Sequence, residues 1–263
     1  MDLGIRGRTA LVFGGSKGLG RGCAEALAAE GVDVALLARG REALDRAARE
    51  IAGRHGVAAH AFAADLADHD AMLATVGDAE RALGGRVDVL VNNSGGPPPS
   101  GAAGVDPALW AAQFHAMVLG VFRATDRLLP AMRARGWGRV LTIASTTVVE
   151  PIPTLGMSNT LRAALAGWSK TLATEVAGEG VTVNMLLPGR VSTDRTEFLD
   201  GATAERQGRA AAEVQRERAA EIPVGRYGTP AEFGAVAAFL ASERAAFVTG
   251  SMIRIDGGAT RAV

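Results

Sequence analysis

The sequence predicts an open, doubly wound parallel α/β sheet forming a single domain. Three observations lead there: short apolar runs alternate with longer segments of helical period, the first run opens onto a glycine-rich turn, and no linker or repeat divides the chain. The runs are Thr9–Phe13, Val34–Ala38, Ala58–Ala63, Val87–Val91, Val140–Ala144, Val181–Leu187 and Met252–Ile255. They are nearly uninterrupted in apolar residues, as strands covered on both faces must be. Between them, stretches such as Gly20–Ala29, Arg41–Ala52 and Asp106–Arg133 repeat apolar residues every three or four positions, the period of a helix with one face on a core. Strand–helix–strand units of this kind wind right-handedly, which places helices on both sides of the sheet.

Composition narrows the function classes. With 263 residues, of which 48% are hydrophobic and 21% charged, the chain can bury a large core without disulfides or metals. The formal net charge is zero, so no overall field draws it to nucleic acid or to an anionic membrane, and neither partner is expected. No apolar run approaches the roughly 20 residues a spanning helix needs, and Met1–Gly4 lacks a basic, then apolar, leader; a cytoplasmic location is expected. Cys23 is the sole cysteine, a small buried helix residue on this reading, and no metal is expected. Tyrosine occurs only at Tyr227, and lysine only at Lys17 and Lys170.

The first strand leads into Gly14-Gly15-Ser16-Lys17-Gly18-Leu19-Gly20 and then directly into a helix. Glycines permit a tight turn and close backbone approach, and the helix start offers unpaired N–H groups and a positive dipole end to a pyrophosphate. Gly14, Ser16, Lys17, Gly18, Leu19 and Gly20 are therefore the expected dinucleotide cradle of a Rossmann-type sheet. At the end of the second strand, where a carboxylate would select NAD, the chain has Ala38-Arg39-Gly40; the nearest acid, Asp33, lies at the opposite end of that strand. Arg39, with Lys17 as a second cation, points to NADP(H).

These residues resemble the short-chain dehydrogenase/reductase family, and the resemblance covers nearly the whole chain. Gly14–Gly20 is similar to its glycine motif, with Phe13 where threonine is usual. Asp65-Leu66 looks like its adenine-contacting pair, and Asn92-Asn93-Ser94-Gly95 like its Asn-Asn-Ala-Gly turn. Pro188-Gly189 followed by Val191 and Thr193 resembles the segment that holds the nicotinamide carboxamide and phosphates. Gly225-Arg226-Tyr227-Gly228-Thr229-Pro230 and Asp256-Gly257-Gly258 are also family-like. The resemblance implies cofactor contacts from Asp65, Leu66, Asn92, Ser94, Gly95, Pro188, Gly189, Val191 and Thr193. It also implies a homodimer or homotetramer built on the 106–133 and 157–177 helices and the C-terminal segment.

Catalysis in that family uses serine, tyrosine and lysine, with a supporting helix asparagine. Ile143-Ala144-Ser145 keeps the serine, but the tyrosine and lysine positions hold Ser158 and Arg162, and the asparagine position holds Met117. Gly167-Trp168-Ser169-Lys170 matches the family downstream, which excludes a register that would bring in Lys170. Tyr227 belongs to the later Gly-Arg-x-Gly-x-Pro motif and is read as structural.

Ser145, Ser158 and Arg162 are the candidate catalytic residues. Ser158 and Arg162, four apart, share a helix face. Arginine holds its proton too tightly to act as a general base, so it supplies charge and hydrogen bonds, to a ribose or to a substrate carboxylate. Three readings stay open. The first is an NADP(H)-dependent oxidoreductase reducing a small carbonyl substrate, a ketone or 3-oxoacyl-like compound. The second is a catalytically silent NADP(H)-binding sensor or assembly subunit, and the third is lyase or isomerase chemistry. His115 and Glu150 are alternative acids, although His115 sits on a different helix face from Met117. Ser158 has the bland alternative of capping its helix, and Ser145 of bonding backbone at the strand end. The stiff Ser94–Pro99 loop shapes the pocket or is simply a turn. The polar segment Ser192–Glu221 is either a lid over the strand ends or a solvated helix.

Overall fold

The computed structural model describes residues 1–262. Seven parallel strands form one sheet: β1 (Thr9–Phe13), β2 (Asp33–Ala38), β3 (Ala59–Ala63), β4 (Val89–Asn92), β5 (Gly138–Ile143), β6 (Val181–Pro188) and β7 (Met252–Ile255), in the order β3-β2-β1-β4-β5-β6-β7. The order reverses between β1 and β4, and the crevice beyond their carboxyl ends is the natural ligand site of such a sheet. The expected strands are all present, displaced at most by two residues at an end.

Helices cover both faces. On one side α1 (Gly18–Ala29), α2 (Arg41–His55) and α9 (Pro230–Leu240) bury Cys23, Leu27, Leu44, Ile51 and Phe233 against Val12, Val34 and Leu36. Glycines set how closely α1 and α9 pack. A Cβ on Gly22 would lie 2.3 Å from the Pro230 carbonyl oxygen, and one on Gly234 2.2 Å from that of Gly22. The opposite face carries α3 (His69–Ala82), α5 (Gly120–Ala134) and α6 (Gly156–Val176), whose Met72, Val76, Leu128 and Leu172 meet Leu11, Phe13, Leu37 and Leu90. Asp68 caps α3, and Thr229 with Glu232 forms a reciprocal capping box on α9.

The expected single helix over 106–133 is two. Between α4 (Pro107–Phe114) and α5 lies a π turn, His115–Leu119, in which the Gly120 N–H reaches back to the His115 carbonyl. That carbonyl also receives the ring of His69, 3.0 Å away, and the two imidazoles stack with centroids 3.8 Å apart. His115 thus braces the α3–α5 contact and its Nε2 lies 3.1 Å from the Ala67 carbonyl oxygen, rather than being an ordinary helix histidine. The polar 192–221 segment folds as α7 (Asp194–Gln207) and α8 (Ala211–Ala220). No helix among the described residues is long and apolar enough to cross a membrane, and none of their His, Cys, Asp and Glu side chains form a metal-holding group.

Candidate active site

The cradle at the β1–α1 turn is shaped by absent side chains. Gly14 adopts φ +63° and Gly18 φ +58°, both in the left-handed region that favours glycine. A Cβ on Gly14 would come within 2.3 Å of Asn93 Nδ2, and one on Gly20 within 2.4 Å of the Gly14 carbonyl oxygen. Lys17 stands at the N-cap of α1 and offers no oxygen to the first helical N–H groups, so those donors are left for a ligand. Arg39 is exposed at the end of β2. Around the crevice, Asn92 Oδ1 and Ser94 Oγ are buried without a hydrogen-bond partner. These features fit a dinucleotide with an extra phosphate: free amides, bare backbone, an unpaired cation and orphaned polar atoms.

Two expected cofactor residues are occupied differently. Lys17 pairs with Asp194 of α7, Nζ to Oδ2 at 2.6 Å, so in this structure it ties the cradle to the 192–221 segment. Asp65 accepts from the Ala67 N–H and holds its own turn. Elsewhere the expected framework assembles. Gly189 donates to the Ile255 carbonyl and has no room for a Cβ, which would sit 2.6 Å from Asp256 Cβ. Val191 pairs with Gly228 in an isolated parallel bridge, and the Thr193 side chain faces the bare Gly18, its Cγ2 3.6 Å from where a Cβ would stand.

Beyond the carboxyl end of β5 the three candidate catalytic residues converge. Ser145 Oγ accepts from the Thr147 N–H at 3.2 Å, so its bond to backbone at the strand end is present. Ser158 is not a cap: α6 begins at Gly156 with Leu155 at its N-cap, and Ser158 Oγ instead receives the Arg162 Nε–H at 3.2 Å. Arg162 Nη1 donates to the Ala144 carbonyl at 2.8 Å, and Nη2 approaches the Gly95 carbonyl at 3.5 Å. Burial, reinforced by Arg195, lowers the Arg162 pKa to about 10, which leaves it cationic at neutral pH. Both serine oxygens have an N–H on their acceptor side, so their own protons are free to donate into the cleft.

A protein-family comparison decides what the framework is. Residues 14–260 match the family described as enoyl-(acyl carrier protein) reductase. The chain belongs to the short-chain dehydrogenase/reductase family. It is 32% identical to 3-oxoacyl-(acyl-carrier-protein) reductase FabG of Aquifex aeolicus, over 98% of this chain and 99% of the relative. It is 34% identical to inactive 2-(S)-hydroxypropyl-CoM dehydrogenase 2 of Xanthobacter autotrophicus, over 90% of this chain and 99% of the relative. Among solved structures, L-sorbose reductase from Gluconobacter frateurii, complexed with NADPH and L-sorbose, superposes with a TM-score of 0.94 at 33% identity and full coverage of both chains.

In this short-chain dehydrogenase/reductase the sole tyrosine is committed elsewhere. Tyr227 is buried, and its hydroxyl donates to Asp200 of α7 at 2.8 Å. Arg218 of α8 clasps the same carboxylate. Burial and the Asp200 bond push the Tyr227 pKa up to about 12, opposite to what a phenolic acid–base needs. Glu150 accepts from the Arg261 backbone N–H and so anchors the C-terminal segment. Arg195, which the sequence reading passed over, reaches from α7 to the Pro97 carbonyl at 3.1 Å. Its only sequence signal was the arginine-rich character of the 192–221 segment.

Proposed function

We propose that this protein is an NADP(H)-dependent oxidoreductase that reduces a small carbonyl substrate, a ketone or 3-oxoacyl-like compound, through Ser145, Ser158 and Arg162. The observation that carries the reading is the Arg162 guanidinium, which bonds both Ser158 and the carbonyl of Ala144, the residue before Ser145, and so links the three candidates. NADP(H) would rest on Gly14, Ser16, Gly18, Leu19 and Gly20, with Arg39 and Lys17 toward its extra phosphate. Asp65, Leu66, Asn92, Ser94, Gly95, Pro188, Gly189, Val191 and Thr193 would line the rest. Lys17 must exchange Asp194 for that phosphate. When bound, NADPH supplies a hydride to the carbonyl carbon. The carbonyl π pair moves to oxygen, where the Ser145 hydroxyl and Arg162 N–H groups meet the developing charge. A water held by Ser158 would deliver the proton, completing the alcohol, and the hydroxide left behind would take a proton from bulk solvent. Arg162 would also donate to the nicotinamide ribose, and α7 and α8 would form a lid over the strand ends.

NADPH oxidation is the test, against a panel of ketones, β-ketoacyl thioesters, quinones and imines. Turnover on at least one class is expected. NADPH binding with no turnover anywhere would instead establish a silent NADP(H)-binding protein. That second reading has one specific support, a full-length relative named inactive. We further propose a cytoplasmic homodimer or homotetramer, since α4 buries none of its residues while Leu109 and Phe114 are exposed.

A further inference from the structure

The first turn of α7 brings a second guanidinium to the rim of the cleft. Arg195 donates to the Pro97 carbonyl, and its Nη2 lies over Gly96, 3.2 Å from where a Cβ would stand. Arg162 approaches the carbonyl of the preceding residue, Gly95. The two cations therefore flank one strip of three residues, close enough that Arg195 disfavours the charged form of Arg162. Neither has a carboxylate within ion-pair distance among the described residues. Of the four acids of α7, Asp194 is paired with Lys17 and Asp200 with Arg218 and Arg190, while Glu197 and Glu205 lie more than 4 Å from either guanidinium. Adjacent cations without a carboxylate partner repel one another, and an anion between them relieves that repulsion.

We propose that the substrate of this cleft carries a carboxylate, held by hydrogen bonds from Arg195 beside the positive charge of Arg162, so that Arg195 selects oxo acids over neutral ketones. The planar guanidinium fork of Arg195 matches a planar carboxylate. The Gly95 and Pro97 carbonyl oxygens on the same rim oppose the additional oxygens and charge of a phosphate. The inference rests on the reductase reading for the reacting carbonyl and adds the group that orients it.

The test compares NADPH oxidation with pyruvate, acetoacetate and levulinate against their methyl esters, in the wild type, Arg195→Leu and Arg195→Lys. A preference in kcat/KM of about tenfold or more for at least one acid over its ester is expected, the worth of one charge-assisted hydrogen bond. Arg195→Leu should bring that ratio toward one, mainly through KM, and Arg195→Lys should restore part of it. Equal use of acids and esters by the wild type, or a ratio untouched by Arg195→Leu, overturns the proposal. Calorimetric titration of the NADP⁺-bound protein with the same acids separates this proposal from the reductase reading. Should no acid be reduced, saturable binding that Arg195→Leu removes still supports the clamp, and absence of saturable binding overturns it.

Discussion

Arg162 offers fixed charge and hydrogen bonds at a place where a titrating side chain would offer a proton. Its Nε–H polarises Ser158, its Nη1 locks onto the strand end beside Ser145, and two of its five N–H groups remain for a ligand. Even with its pKa lowered to about 10 it keeps its charge at neutral pH, so the oxyanion stabilisation proposed for it is independent of pH across the physiological range. Arg39 is the residue on which we propose that cofactor choice rests. NADPH should bind more tightly than NADH by about tenfold or more, the scale of one charge-assisted pair, and Arg39→Asp should abolish or reverse the preference. Calorimetric titration checks this, and equal affinities for the two cofactors in the wild type would refute it. Arg39 was legible from its place after the second strand, and Arg162 from the family resemblance that sets where the lysine should stand. Their occupancy was not: the pairing of Lys17 with Asp194 joins residues 177 positions apart, which no local pattern encodes.

At the scale of elements, the 192–221 segment is anchored at several points. Lys17 holds the start of α7 to the cradle, Arg195 holds it to the Pro97 loop, and Tyr227 with Arg218 holds the buried Asp200 from behind. Tyr227→Phe leaves one Asp200 oxygen without its donor and should cost about 1–3 kcal/mol of stability, seen as a lowered thermal midpoint. The pH dependence follows from the raised phenol pKa. The folded chain holds this proton more tightly than the unfolded one, so the stabilisation is complete below pH 10 and is lost as pH rises from 10 toward 12. Comparison of wild type and Tyr227→Phe across that window should show the difference between them shrinking; a difference constant to pH 12 would contradict the assignment. Every strand and most helices were legible in the sequence, because burial on both faces and one-sided packing leave clear periods. The π turn at 115–119 was not, because apolar residues continue through it and its cause is tertiary, the His69 ring bonded to the His115 carbonyl.

For the whole molecule, the two sides of the sheet do different work. The α1–α9 side is set by glycine contacts that leave no space for a methyl group, which holds the cradle rigidly against the core. The other side leaves α4 with no buried residue and Leu109 and Phe114 exposed, and the sheet's β7 edge leaves Phe239, Phe247 and Met252 exposed. Sedimentation should therefore give two or four times the mass of one chain, with Phe114→Glu reducing the assembly; a monomer in the wild type would contradict that expectation. Oligomeric state was beyond the sequence, since an apolar helix face reads the same whether it meets its own core or a second chain. The cofactor frame would serve a reacting site proposed at Ser145, Ser158 and Arg162, and the most direct measurement is the NADPH-dependent kcat of Ser145→Ala and Arg162→Ala on whichever carbonyl the wild type reduces. Losses of about 10²–10³-fold are expected for removal of an oxyanion donor, with the NADPH-binding fold retained. Turnover unaffected in both variants would contradict it.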